Sequence, residues 1–242
     1  MGKTEECKTE NMRQPVSAEQ AAGEHAGHST DHLPMRVFLL CAGLSIMAFG
    51  IALSIRAPLG TSPISSLPYV TAEMSGLSVG ITTIVMNFVF ILIQIAILRR
   101  RYDWFQLLQF PAAVLFGLII DAAGLLTAKL PCDTYLEQCI ICAAGIIFIA
   151  FGVSVEISAG LITTSGEGIV LAICQVAPVK FGNIKVALDC SLVCISILLS
   201  FAFLGGLDGV REGTVAAAIF VGLITRKTNG VMEKVSCALL ER

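Results

Sequence analysis

Three carboxylates, Asp121, Glu156 and Asp189, stand in or against long apolar stretches of this 242-residue chain. A charge in such a place costs several kcal/mol unless it is paired or hydrated, so each is a candidate for binding an ion or carrying a proton. Asp189 is four residues into its stretch, with Lys185 one helical turn before it and the polar Asn87 in the matching position 102 residues earlier. The i, i+4 spacing of Lys185 and Asp189 suits ion coupling or a small local ion pair. Glu156 closes another stretch. Asp121 lies just past a third, and its counterpart 105 residues later is Arg226; both also fit residues that mark where helices surface. Asp189, Glu156 and Asn87 are the candidates for ion or proton coupling.

A second set of candidates sits in two interrupted segments. The first, from Ala57 to Pro68, is too apolar for an ordinary loop and too rich in Pro, Gly and Ser for a spanning helix. Ser62 followed by Pro63 predicts a helix start, because Pro at the first helical position gives up an N–H that has no partner there anyway. The second, Ser158 to Gly168, leads into a short apolar helix over Ile169 to Val176, and Thr164-x-x-Glu167 fits a capping box. Irregular backbone at membrane depth survives only where protein or a watery cavity satisfies it, and helix N-termini favour anionic or strongly dipolar groups. Arg56, Ser62, Pro63, Thr164, Ser165 and Glu167 are therefore the candidates for binding a small solute. Arg56 reads equally well as the end of a span, snorkelling to the interface.

The elements that must position these residues are membrane helices. Hydrophobic residues make up 55% of the chain, charged residues only 14%, and the mean hydropathy is +0.83, values that describe a chain dissolved in lipid. Apolar runs over Met35–Ile55, charged only at Arg36 near its start, Ile81–Leu98 and Cys139–Val155, and Val186–Leu207 interrupted only by Asp189, approach the roughly 20 residues a span needs. Leu107–Ile120 and Thr214–Thr225 are shorter. The expected fold is an all-α membrane protein with six transmembrane helices.

The chain also repeats itself. Ala48-Phe49-Gly50 recurs as Ala150-Phe151-Gly152, and at the same offset Gly43 matches Gly145 and Gly80 matches Gly182. Three spans per copy force the second copy into the membrane upside down, so the expectation is two inverted three-helix repeats, 35–128 and 138–226, each with an interrupted short helix. Residues 1–34 are expected to be a disordered polar tail and 227–242 a short cytoplasmic one. With both termini cytoplasmic, 13 of the 16 basic residues fall inside, leaving Arg56, Lys129 and Arg211 outside.

Other chemistries find little support. His25, His28 and His32 share a helix face in the tail, but no Cys or acidic cluster completes a metal site. The nine cysteines form no C-x-x-C pair, and Cys132 and Cys139 across one short loop read as free thiols. A net charge of −2 suggests no nucleic-acid partner. No nucleophile constellation or phosphate-cradling loop is present, so neither an enzyme nor a cofactor is expected.

Phe49-Gly50-Ile51-Ala52-Leu53, Ala57-Pro58-Leu59-Gly60-Thr61-Ser62-Pro63, Gly76-Leu77-Ser78-Val79-Gly80 and the later Gly205-Gly206 and Gly213-Thr214 resemble the YczE/YitT-like bacterial integral membrane proteins over about Val37 to Ile224. Two places depart from that pattern, Ser165-Gly166-Glu167-Gly168 and Arg211. The resemblance implies a multi-pass protein of the bacterial plasma membrane. The leading functional expectation is a small-molecule transporter working by alternating access. The alternative is a non-transporting scaffold or regulator that binds partner helices through glycine faces. The expected partners are the lipid bilayer and a small solute, and a chain of this size is also compatible with a homodimer.

Overall fold

The computed structural model describes residues 33–206 and 209–240, with side chains as far as Asn229. The histidines of the tail lie outside the described residues. All regular structure among the described residues is helical: α1 Leu33–Arg56, α2 Pro63–Ser75, α3 Val79–Leu98, α4 Gln109–Thr127, α5 Tyr135–Ala159, α6 Ser165–Val176, α7 Phe181–Leu199 and α8 Glu212–Leu240. A π-helical turn over Ser200–Leu204 extends α7. Among the described residues, five helices are long and apolar enough to cross a membrane, namely α1, α3, α4, α5 and α7 with their short extensions. The sixth predicted span is the first half of α8. Only residues 213–225 separate Glu212 from Arg226, about 20 Å of helix. Beyond Arg226 the helix continues through the expected tail to Leu240. At the other end α1 begins at Leu33, two residues before the predicted span.

The centre of the molecule is the crossing of α1 and α5. Gly43 lies against Gly152 and Gly50 against Gly145, so the two helices run antiparallel. A Cβ on Gly152 would stand 2.6 Å from the Met47 nitrogen, and one on Gly50 would stand 2.7 Å from that of Ile149. These contacts are backbone to backbone, the kind small residues allow when no hydrophobic effect drives helices together in lipid. Ala48 and Ala150, both fully buried, fill the space between the glycine contacts. The signature triplets are therefore the seam that joins the two halves.

Polar contacts fix the ends. Arg36 donates to the carbonyls of Ala159 and Gly160, tying the start of α1 to the end of α5. At the opposite end Arg56 donates to the Leu130 carbonyl at 3.1 and 2.7 Å, just before α5 begins. Helix α4 runs parallel to α1 and shares its core through Phe116 and Ile120. Helix α8 runs parallel to α5, with Ala217 packed near Cys142 and Ile146 and the Thr225 hydroxyl donating to the Ala150 carbonyl. Helix α3 is antiparallel to α4. Gly80 meets Gly117, Phe88 meets Phe110 edge-on, and Asp121 accepts from the Gly80 amide at 2.7 Å and the Ser78 hydroxyl at 2.6 Å. Asp121 thus holds the start of α3, a capping role the sequence reading did not give it.

The short helices α2 and α6 have 13 and 12 residues, about 20 and 18 Å, and neither crosses the roughly 30 Å of hydrocarbon. Their N-termini meet. Ile64 at the start of α2 packs on Gly166 at the start of α6, and Ile64, Leu67, Phe90, Ile169 and Leu192 form one cluster there. From that point they diverge along α3. α2 runs toward the start of α3 and turns into it through Gly76 at φ 70°, while α6 runs toward its end, with Ala172 near Leu98 and Tyr102. Ser62 is the N-cap residue of α2 and Pro63 its first helical residue, as the sequence predicts.

Candidate functional site

Beside this meeting point lies a small polar cavity. Its polar lining is Asn87 from α3, Gln109 from α4, Glu156 from α5, and Thr163, Thr164 and Ser165 leading into α6; Leu40, Leu44 and Phe116 form much of the apolar wall. The volume of about 20 Å³ holds roughly one water molecule.

Glu156 reaches the cavity from the last turn of α5 and is 4% exposed. The chain leaves α5 through Gly160, in the left-handed region at φ 59°, and doubles back so that Thr164 comes beside it. The Thr164 hydroxyl donates to Glu156 Oε1 at 2.5 Å. Thr164 is the N-cap residue of α6, yet its side chain makes no capping bond, so the predicted capping box with Glu167 does not form. The buried carboxyl has taken the hydroxyl. The amides of Ser165, Gly166 and Glu167 thus begin the helix without intrahelical partners, while the Gly168 amide bonds the Thr164 carbonyl. A capping box does form at the start of α5, where Glu137 accepts from the amides of Thr134 and Asp133.

Amides organise the rest. The Gln94 side chain, fully buried, donates to the Ser165 carbonyl at 2.8 Å and to Gln109 Oε1 at 3.3 Å, binding α3, α4 and α6 together. Gly168 makes room for it. Asn87, only 3% exposed, makes no hydrogen bond among the described residues and lines the cavity. A buried amide with no protein partner is expensive to keep, and this one borders the polar cavity.

The predicted candidates separate into three groups. Glu156, Asn87, Thr164 and Ser165 converge on the cavity. Ser62 and Pro63 are buried at the start of α2 on the other side of the meeting point, where Ser62 bonds the Ser65 hydroxyl; Glu167 is half-buried in the first turn of α6. Arg56 and Asp189 are elsewhere. Arg56 serves the Leu130 carbonyl, and Asp189 pairs with Lys185 at 3.3 Å, both about a quarter exposed, on a helix that does not line the cavity. Gln109 and Thr163 are the polar lining residues that the sequence reading did not single out; Thr163 stands in the second interrupted segment, and Gln109 is the less expected of the two. It lies in the shorter third apolar run, and a lone amide within such a run is itself a signal of intramembrane polarity. Among the described residues no group of His, Cys, Asp and Glu is placed to hold a metal.

Comparison with known proteins bears on identity. Residues 34–230 match DUF6198, a family of unknown function. The chain is similar to the uncharacterized membrane protein YczE of Bacillus subtilis (strain 168), 28% identical over 195 residues that cover 80% of this chain and 85% of that protein. No solved structure matches the chain. A multi-span helical fold, apolar composition and a family match over most of the length agree: the chain belongs to the DUF6198 family and is a YczE-like multi-pass membrane protein.

Proposed function

We propose that this protein is a small-solute transporter of the bacterial plasma membrane, built from two inverted repeats with six spans and working by alternating access. The observation that carries the proposal is the meeting of the N-termini of α2 and α6 beside a buried polar cavity. Broken helices at a repeat interface are where transporters of this architecture bind substrate.

Several pairings support the repeat. About an axis through the α1/α5 crossing, α4 against α1 corresponds to α8 against α5, α2 against α3 to α6 against α7, and α6 against α3 to α2 against α7. One correspondence is broken. Helices α3 and α4 close on Gly80 and Gly117, whereas α7 and α8 make no comparable contact, and Gly182 and Gly222, their repeat mates, meet nothing within 4 Å. A closed seam on one side and an open one on the other is what one state of an alternating carrier requires. The parallel course of α8 and α5 supports the sixth span, and the count of basic residues supports cytoplasmic termini, so the open seam faces the cytoplasm. The same open glycines also suit a partner helix, which is the scaffold alternative.

Uptake by the purified protein in proteoliposomes distinguishes the two. With a panel of small anionic, cationic and neutral solutes, and with and without a pH gradient, at least one is expected to enter several-fold faster than into empty vesicles. Absence of flux for every class would leave the scaffold reading.

A further inference from the structure

We propose that the cavity is a binding site for a small monovalent anion that is taken up together with a proton on Glu156. This deepens the transport reading and rests on it, by naming the class of solute and the group that couples it.

The anion half of the site is the start of α6. Its first-turn amides have no intrahelical partners, the side chain of Thr164 does not cap them, and the positive end of the helix dipole points toward the cavity edge formed by Thr164 and Ser165. Asn87 is the independent observation that a ligand belongs there. It is a nine-tenths-buried amide with no hydrogen-bond partner among the described residues, and it lines the same cavity from α3. Gln109 adds a second amide from α4. The room for about one water molecule limits the ligand in this state to a monatomic or few-atom anion.

The proton half follows from electrostatics. Glu156 lines the cavity too, and its carboxylate would repel the anion at close range through a medium of low dielectric. Among the described residues no cation contacts it in an ion pair. The charged groups that act on it are Glu167 on α6, of like sign, and Lys185 on α7, which is paired with Asp189. Arg36 on α1 is committed to the carbonyls at the end of α5. A proton on the Glu156 carboxyl removes the repulsion, leaves one oxygen to accept from Thr164, and makes the loaded site neutral apart from the helix dipole. Anion and proton then bind together and cross together, one for one, and the carboxylate released of its proton expels the anion. No bond other than that O–H forms or breaks.

The test uses the full chain in proteoliposomes loaded with a pH-sensitive dye and exposed to inward gradients of chloride, nitrate or formate, with empty vesicles as the measure of leak. At least one of these anions is expected to acidify the lumen several-fold faster than in empty vesicles. Glu156→Gln, purified and monodisperse, is expected to abolish acidification, and Asn87→Leu to reduce it at least tenfold, whereas Asp189→Asn leaves it unchanged. Failure of all three anions to acidify the lumen while a cationic or neutral solute is transported overturns the inference and leaves the transport reading standing. Wild-type acidification that persists undiminished in folded Glu156→Gln overturns the assigned proton carrier. No movement of any solute overturns both readings.

Discussion

Replacing Gly152 with leucine is expected to leave little folded protein. A Cβ at that position would lie 2.6 Å from the Met47 nitrogen, 2.7 Å from the Met47 Cβ and 2.8 Å from the Gly43 carbonyl oxygen. None of these atoms belongs to the movable end of a side chain, so α1 and α5 must separate to admit it. Overpacking a tight contact costs about 1–3 kcal/mol and sometimes more, and here the contact lies at the central crossing of the two halves of the molecule. Gly50→Leu is expected to act alike from the other helix, because its Cβ would meet the Ile149 nitrogen at 2.7 Å and the Gly145 oxygen at 2.8 Å. Gly222→Ala is the contrasting substitution. Nothing approaches its Cβ position within 4 Å, and alanine in a helix is worth about 0.5–1 kcal/mol over glycine. Size-exclusion profiles and thermal unfolding in detergent check both. The leucine variants should lose the monodisperse peak or unfold roughly 6–12 °C lower for a loss of about 3 kcal/mol, and Gly222→Ala should unfold at the wild-type temperature or above it.

The second large effect is expected where α6 docks on α3. A Cβ on Gly168 would stand 2.6, 2.7 and 2.8 Å from Gln94 Oε1, Nε2 and Cδ. A flexible side chain ordinarily yields at small cost, but Gln94 is fully buried and bonded to both Ser165 and Gln109. Gly168→Ala should therefore break those bonds, at about 1–3 kcal/mol for buried polar groups left unpaired. Gln94→Ala alone removes the same bonds and leaves a void. Combined, the two substitutions should cost less than the sum of their separate effects, with a coupling of about 0.5–3 kcal/mol. Additive losses in thermal unfolding would mean that the two side chains do not share this space.

How much of this was legible beforehand depends on the kind of signal. The helices were readable because apolar runs in lipid leave the backbone no alternative, and the glycine triplets were readable because close helix approach demands them. Ser62 and Pro63 announced the start of α2 by local chemistry alone. The convergence of Glu156 with Thr164, eight residues apart, was not readable, because a left-handed turn at Gly160 folds the chain back and the same Thr-x-x-Glu spacing fits a capping box equally well. Asp189 illustrates the converse. An acid within a span is a strong sequence signal, but Lys185 lies one turn away, and a local pair satisfies it without a site. Asp121 looked like an interface marker and instead holds the start of α3, since only the packing of α4 on α3 brings the carboxylate to the Gly80 amide and the Ser78 hydroxyl. Gln109, a quiet amide in a short apolar run, became important only through the three helices that Gln94 ties together.

The central claim is that the cavity where the short helices meet is reached by water from each side of the membrane in turn. Ala112 lines the cavity without any polar role, so a single cysteine there, in a background freed of native cysteines, reports on access directly. Vesicles of both orientations treated with a small membrane-impermeant thiol reagent should show modification from the cytoplasmic face and from the outer face, while a cysteine at Ile51, in the dry core beside the α1/α5 crossing, stays unmodified from both. Modification of the Ala112 cysteine from neither face, or from one face only, would contradict the account.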